Sequence, residues 1–355
     1  MLDKSHLTDK SLHGTNTRSN STAMTTLNAK MIMDSVDFND LPIDKSHPHH
    51  SAWLWGPDDG LGTLNYLTPE IVVQAAREIR SGERACLNWD MRHPTHPGFG
   101  RQQFSHDVFQ RSDRTVCDDT VHFNTQHSSQ WDGFRHFGYQ KEKVFYNNTT
   151  MEQILHVDGE SCSAGMEAGM AEWAKKGISG RGVLLDIYGY CTAHGLEYDP
   201  WTTHAITLDV ILACAKHQKV AFRKGDVLIL RTGYHVSYEK ATVKQIKAKS
   251  EVNPPAYAGV EQDLEIARWI YDNKFAAVAG DAPAFESWPA DTNKIGCALH
   301  EIFLGGWGMP IGEMWYLEEL LNLATTLDRW TFFLSSSPLN VPNGVASPPN
   351  IMAIF

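Results

Sequence analysis

No stretch of the 355 residues comes near the ~18 consecutive apolar positions that a membrane-crossing helix needs. The N-terminus also lacks the apolar core of a secretion signal, so the sequons at Asn147 and Asn148 are not expected to carry sugar. Six cysteines, at 86, 117, 162, 191, 214 and 297, form no Cys-x-x-Cys pair and no regular spacing. That excludes a zinc ribbon and a disulfide framework and leaves reduced, mostly buried thiols. Lys and Arg are not clustered, and with 31 of them against 42 acidic residues the net charge is −11. Nucleic acid and anionic membrane are therefore the wrong partners. There is no Gly-x-Ser-x-Gly elbow and no papain-like Cys motif, so a covalent acyl-enzyme has no evident nucleophile. What remains is a globular protein, 42% hydrophobic, that acts on a small molecule, with the cytoplasm as the default address.

The stretch Asp118–Tyr139, DDTVHFNTQHSSQWDGFRHFGY, carries the most chemistry. Gln126, Gln130, Asp132 and His136 stand at offsets 0, 4, 6 and 10. All are even, so an extended strand puts all four on one face, whereas a helix turns offset 6 about 120° away. Amides, a carboxylate and an imidazole on one face are costly to bury without partners, and a metal ion or a substrate would supply them. The plainer reading makes Asp132 a cap on the turn before Gly133 and His136 a satisfied core histidine.

Residues 1–46 are rich in Ser, Thr, Asn, Asp and Lys and too poor in apolar surface to order readily, which predicts a flexible N-terminal arm ahead of one domain over 47–355. The His-Pro-His-His cluster at 47–50 reads as a linker rather than a metal site. Thr68-Pro69-Glu70 opens a helix that ends before Gly82, and Ala85–Asp90 reads as a short strand. A further helix over Gly159–Gly177 closes on a C-terminal glycine. Three apolar runs, Gly182–Ile187, Asp226–Leu230 and Phe275–Ala279, alternate with helices at Thr207–Gln218 and 260–272, and Thr331–Leu334 is another strand. This order predicts an α/β fold with a mixed, partly parallel sheet flanked by helices. The long loop Ser335–Pro349 is of the kind that is more often functional than idle.

The central stretch resembles the metal-dependent cyclases and kynurenine formamidase-like hydrolases, whose signature is His-x-Gly-Thr-His-x-Asp-x-x-x-His. Asp132 and the final His136 match it, Ser129 stands in for the threonine, and Gln126 and Gln130 occupy the two leading histidine positions, as in a variant branch with Gln-x-x-x-Gln-Trp-Asp. The likeness extends through WGPDDGLGTLNYLTPE (55–70), RGVLLDI (181–187), KGDVLILRTGY (224–234), LHEIFLGGWGMPIGE (299–313) and SSPLNVPNGVASP (336–348). It implies a swivelling β/β/α domain, a homodimer or homotetramer, and a divalent ion held by Asp132, His300 and Glu313, with His136 as acid or base on the attacking water. His300 and Glu313 are singled out only by the likeness, since their spacing alone says nothing. Gln126 and Gln130 would be weak oxygen ligands or substrate contacts, and a neutral carboxamide oxygen suits Mn2+ or Mg2+ better than Zn2+.

Arg231 is a candidate clamp for a substrate carboxylate, with a structural ion pair as the alternative. Trp131, Phe134, Tyr139 and Trp307 are candidate aromatic walls, with core packing as the alternative. Asp186 and Asp281, at strand ends, read equally as site residues or caps. The expected activity is hydrolysis of an amide or lactone in a small cyclic or aromatic substrate. A biosynthetic cyclase, dehydratase or isomerase using the same pocket, and an inactive binding protein, are the alternatives.

Overall fold

The computed structural model describes residues 36–155 and 169–355. The expected arm over residues 1–35, and the Gly159–Gly177 helix before Gly169, lie outside the described residues. Phe38–Phe355 cluster as one unit, and Phe38 and Leu41 are already buried, so the packed body begins ahead of residue 46. Phe38 stacks on His50, whose backbone carbonyl accepts from Trp307 Nε1, while the His49 carbonyl accepts from the Tyr139 hydroxyl. The histidine cluster at 47–50 thus fastens the chain's entry.

The strands in chain order are β1 (Arg84–Cys86), β2 (Ser105–Gln110), β3 (Cys117–His122), β4 (Gln130–Asp132), β5 (Ile178–Leu185), β6 (Ala205–Ile206), β7 (Val227–Leu230), β8 (Gly259–Val260), β9 (Ala277–Gly280), β10 (Ile311–Glu313), β11 (Thr331–Ser336), β12 (Ala346–Ser347) and β13 (Ile351–Ile354). Nine of them form a mixed sheet in the order β1-β13-β11-β5-β7-β9-β10-β4-β12. Its centre, β5-β7-β9-β10, is parallel, and both flanks are antiparallel. The central strands are apolar runs buried on both faces, as parallel strands covered by helices must be. The helices that cover them announce themselves by their caps. Thr68 accepts from Ile71 N ahead of Pro69–Ala75, Thr207 from Val210 N ahead of Leu208–His217, and Asp263 from Glu265 N ahead of Leu264–Asp272. The last helix therefore starts later than residue 260.

The central stretch departs most from the reading of one long strand. Between Gln126 and His136 only Gln130–Asp132 is a strand. Ahead of it Asn124 folds the chain into a side-chain turn, its Oδ1 accepting from Gln126 N (2.9 Å) while its carbonyl accepts from His127 N (2.9 Å). Behind it the strand stops at Gly133, where a Cβ would lie 2.7 Å from the Val345 carbonyl oxygen and 2.4 Å from Met170 Cε. The loop after Ser335 is likewise pinned, since its Ala346–Ser347 pairs with Asp132 and Trp131.

Candidate metal centre and its cavity

Register assembles the site. In the antiparallel β4–β10 pair Gln130 stands opposite Glu313 and Asp132 opposite Ile311, so Gln130, Asp132 and Glu313 share one face. Trp131, one residue out of phase, points the other way, into the core. His300 arrives from the far side of the glycine-rich turn, at the start of a wide-wound helical segment, Glu301–Trp307, of the kind often found beside functional residues.

The result is a buried cluster of Asp132, His300 and Glu313, each offering a ligand atom, with all three atoms within 4.8 Å of one another. His300 Nε2 lies 3.1 Å from Glu313 Oε1, and its Nδ1 lies 2.7 Å from Glu286 Oε1. Gln130 Nε2 donates to both carboxylates, 3.1 Å to Asp132 Oδ1 and 2.8 Å to Glu313 Oε2, and Gln126 Nε2 donates to Asp132 Oδ1 at 2.7 Å. The glutamines therefore turn their NH2 ends to the acids. An amide nitrogen has no lone pair for a cation, so in this arrangement Gln126 and Gln130 are hydrogen-bond donors to the carboxylates.

One atom is left over. Asp132 Oδ2 is fully buried and has no hydrogen-bond partner; the nearest cationic candidate is His136 Nε2, at 3.7 Å. A buried, unpartnered carboxylate oxygen is expensive, and a divalent ion bonded to it, to His300 and to Glu313 would remove the cost. Two hard oxygens and one imidazole suit Mn2+, Mg2+ or Zn2+, so the residues present fit such an ion.

Charge follows from this crowding. Burial and the neighbouring Asp132 charge push the Glu313 carboxyl up to about 7, partly offset by His300. Burial opposes a charged His300, but its hydrogen bonds to Glu286 and Glu313 outweigh that and hold the imidazole up at about 10. At His136 burial wins over the pull of Asp132 and lowers the ring to about 4, so it is neutral at pH 7.

His136, His300, Glu313 and Gln126 face a cavity of about 320 Å³ whose remaining wall includes Phe99, Arg101, Asn124, Phe137, Pro283 and Trp288. These are not the aromatics expected from the sequence. Trp131, Phe134 and Trp173 pack edge to face in the core, and Trp131 Nε1 donates to Ser336 Oγ. Tyr139 and Trp307 fasten residues 49–50. Arg231 is fully engaged, bidentate to Glu318 (2.8 and 2.9 Å) and bonded to Asp186 (2.8 Å). None of these five lines the cavity, and the substrate contacts expected of them are corrected accordingly. Asp186 caps the helix Ile187–Ala193, and Asp281 accepts from the backbone N–H groups of Thr232, Gly233 and Tyr234. Both are therefore structural. Glu286 and Arg101 were missed. Glu286 follows Asp281 in the same loop, and nothing local marks it as the partner of His300.

Fold and site together define an α/β protein of the cyclase type, with a carboxylate- and histidine-lined centre. The sequence matches the Cyclase family model over residues 43–287, more than half of the chain, and the chain belongs to that family. No curated protein matches it. Among solved structures, one described as a novel cyclase is 27% identical, with TM-score 0.74, 86% of this chain covered and 99% of the other. Isatin hydrolase A from Labrenzia aggregata, solved with benzyl benzoate bound, is 14% identical, with TM-score 0.52 and 82% and 98% covered. Isatin hydrolase A from Ralstonia solanacearum is 14% identical, with TM-score 0.53 and 81% and 97% covered, and at these identities the likeness is one of fold. Among the described residues no helix is long and apolar enough to cross a membrane.

Proposed function

We propose that the protein is a metal-dependent hydrolase that opens an amide or lactone bond in a small cyclic or aromatic substrate. The observation that carries this reading is the buried, unpartnered Asp132 Oδ2 beside His300 and Glu313, two residues that themselves line an aromatic-walled cavity. An ion bound by Asp132, His300 and Glu313 would polarise the substrate carbonyl and lower the pKa of a water molecule. Phe99, Phe137 and Trp288 would hold the flat body of the substrate. His136, neutral and on the cavity wall, would take the proton from the attacking water at Nε2 and return it to the departing nitrogen or oxygen as the carbonyl C–N or C–O bond breaks. Gln126 and Gln130 would orient Asp132 and Glu313 by donating to them.

We also infer a homodimer or homotetramer in the cytoplasm. Support for association comes from the β2–β3 ribbon, which leaves Val108, Phe109, Val116 and Val121 exposed and is marginal alone, as two-stranded ribbons are in water. The test of the activity is a panel of isatin-like rings, N-formyl anilines and lactones with Mn2+-, Mg2+- or Zn2+-loaded protein. Hydrolysis that stops on chelation and returns with the ion is expected. A loaded protein inert to the whole panel, while holding its ion, would point to another reaction.

A further inference from the structure

We propose that Arg101 makes this cavity selective for a ring substrate that carries a carboxylate. The inference deepens the hydrolase reading and takes the location of the site from it, although the binding it foresees needs no turnover. Among the described residues lining the cavity, Arg101 alone carries a guanidinium or ammonium group, in a chain whose net charge of −11 otherwise repels anions.

Its hydrogen bonds are few. Arg101 Nη1 donates to the Gln126 carbonyl at 2.8 Å and, at 3.4 Å, to Gln130 Oε1. Among the described residues no carboxylate lies within ion-pair distance of Arg101, although its charge helps hold down the Glu313 carboxyl, and Nε and Nη2 have no acceptor. The contrast with Arg181 and Arg231 is direct, because each of those is paired in a bidentate fashion with an acid of its own. A guanidinium edge left open on a cavity wall matches a carboxylate in geometry and charge. Asn124 stands on the same wall. Its Oδ1 is used on Gln126 N, which leaves its NH2 group as a second donor.

The backbone presents this edge deliberately. Phe99 and Gly100 both take left-handed φ, 59° and 65°, and Arg101 N donates to the Gly98 carbonyl at 3.2 Å, closing a tight turn. A phenylalanine in that region is strained unless its surroundings hold it. They do, because its ring meets Tyr257 and Trp288, each at 6.0 Å, and the Arg101 guanidinium lies 5.1 Å over it. One turn thus braces the cation against the Phe99 ring on the cavity wall. An aromatic acid would lay its ring against Phe137 and Trp288 and its carboxylate on Arg101.

The test is calorimetric titration of Mn2+-loaded protein with benzoate and with its neutral isostere benzamide. Benzoate should bind tighter by about tenfold or more, the scale of a hydrogen-bonded charge. Arg101→Gln should erase that preference while benzamide affinity stays at the wild-type value. Arg101→Lys, which keeps the charge, should retain a reduced preference and so separates loss of the cation from a disturbed Gln126 turn. Equal affinities in the wild type, or an undiminished preference in Arg101→Gln, would overturn the proposal, the latter by showing that the ion itself binds the carboxylate. A protein that discriminates in this way yet hydrolyses nothing would overturn the reaction and leave the selectivity standing.

Discussion

Replacing Glu286 by Gln is the sharpest single perturbation, because it changes one atom and asks whether a buried carboxylate holds His300 in place. Both oxygens of Glu286 are fully used. Oε1 accepts from His300 N (2.8 Å) and Nδ1 (2.7 Å), and Oε2 from Leu299 N (2.8 Å) and Gln262 Nε2 (2.9 Å). A glutamine has one acceptor oxygen. If that oxygen stays with His300, the new NH2 group meets two donors, and each buried conflict costs about 1–3 kcal/mol. The variant should therefore lose at least about 2 kcal/mol of stability, seen as a melting temperature several degrees lower. It should also lose the charge that makes the His300 ring a better ligand. Removing such a supporting partner weakens ion binding by about 10–100-fold. Calorimetric titration with Mn2+ alongside a thermal melt reads both effects. Wild-type Mn2+ affinity in Glu286→Gln would refute the idea that this carboxylate positions His300.

Three further outcomes are expected. His136→Ala should keep its ion content while turnover on whichever ring of the panel is hydrolysed falls by about 10²-fold or more; an unchanged rate would remove His136 from the chemistry. The ion-free protein should be most stable near pH 6–7. Burial holds neutral His50 at about 4 and His235 at about 3, so they take up protons on unfolding and stability is lost as pH falls below their unfolded value near 6.5. His300, raised to about 10, contributes stability that is full below 6.5 and lost as pH climbs through 10, so a melting temperature still rising from pH 7 to 9 would contradict the pairing at His300. Light scattering should give a dimer or tetramer, and charges placed at Val108 and Val121 should weaken it; a 39.8 kDa particle at micromolar concentration would refute association.

How much of this was legible in the sequence depends on how local each feature is. Helix starts at Thr68 and Thr207 and the apolar central strands follow from caps and runs that the chain carries within a few residues, whereas the helix read from 260 begins only after its Asp263 cap. The period-two argument places Gln130 and Asp132 on one face, and the same argument sends Trp131 to the other. Its proposed substrate contact thus conflicted with its own parity. Gln126 reaches Asp132 through the Asn124 turn and His136 through the break at Gly133, neither of which is strand geometry. His300 and Glu313 were readable only through family resemblance, because their meeting depends on β10 lying between β9 and β4. Glu286 and Arg101 were not readable, since one is placed by that crossover and the other by two left-handed residues in a loop. The aromatic walls failed for a simpler reason. In a chain with eleven tryptophans many large rings build the core, and the rings that line this cavity are the half-exposed Phe99, Phe137 and Trp288.

The central claim is that Asp132, His300 and Glu313 hold one divalent ion, and elemental analysis of purified wild-type and Asp132→Ala protein, each dialysed against Mn2+ and then desalted, tests it most directly. The account predicts one equivalent of ion per wild-type chain and none in Asp132→Ala, which has lost the unpartnered buried oxygen. A wild-type protein that retains no ion, or an Asp132→Ala protein that retains a full equivalent, would contradict it.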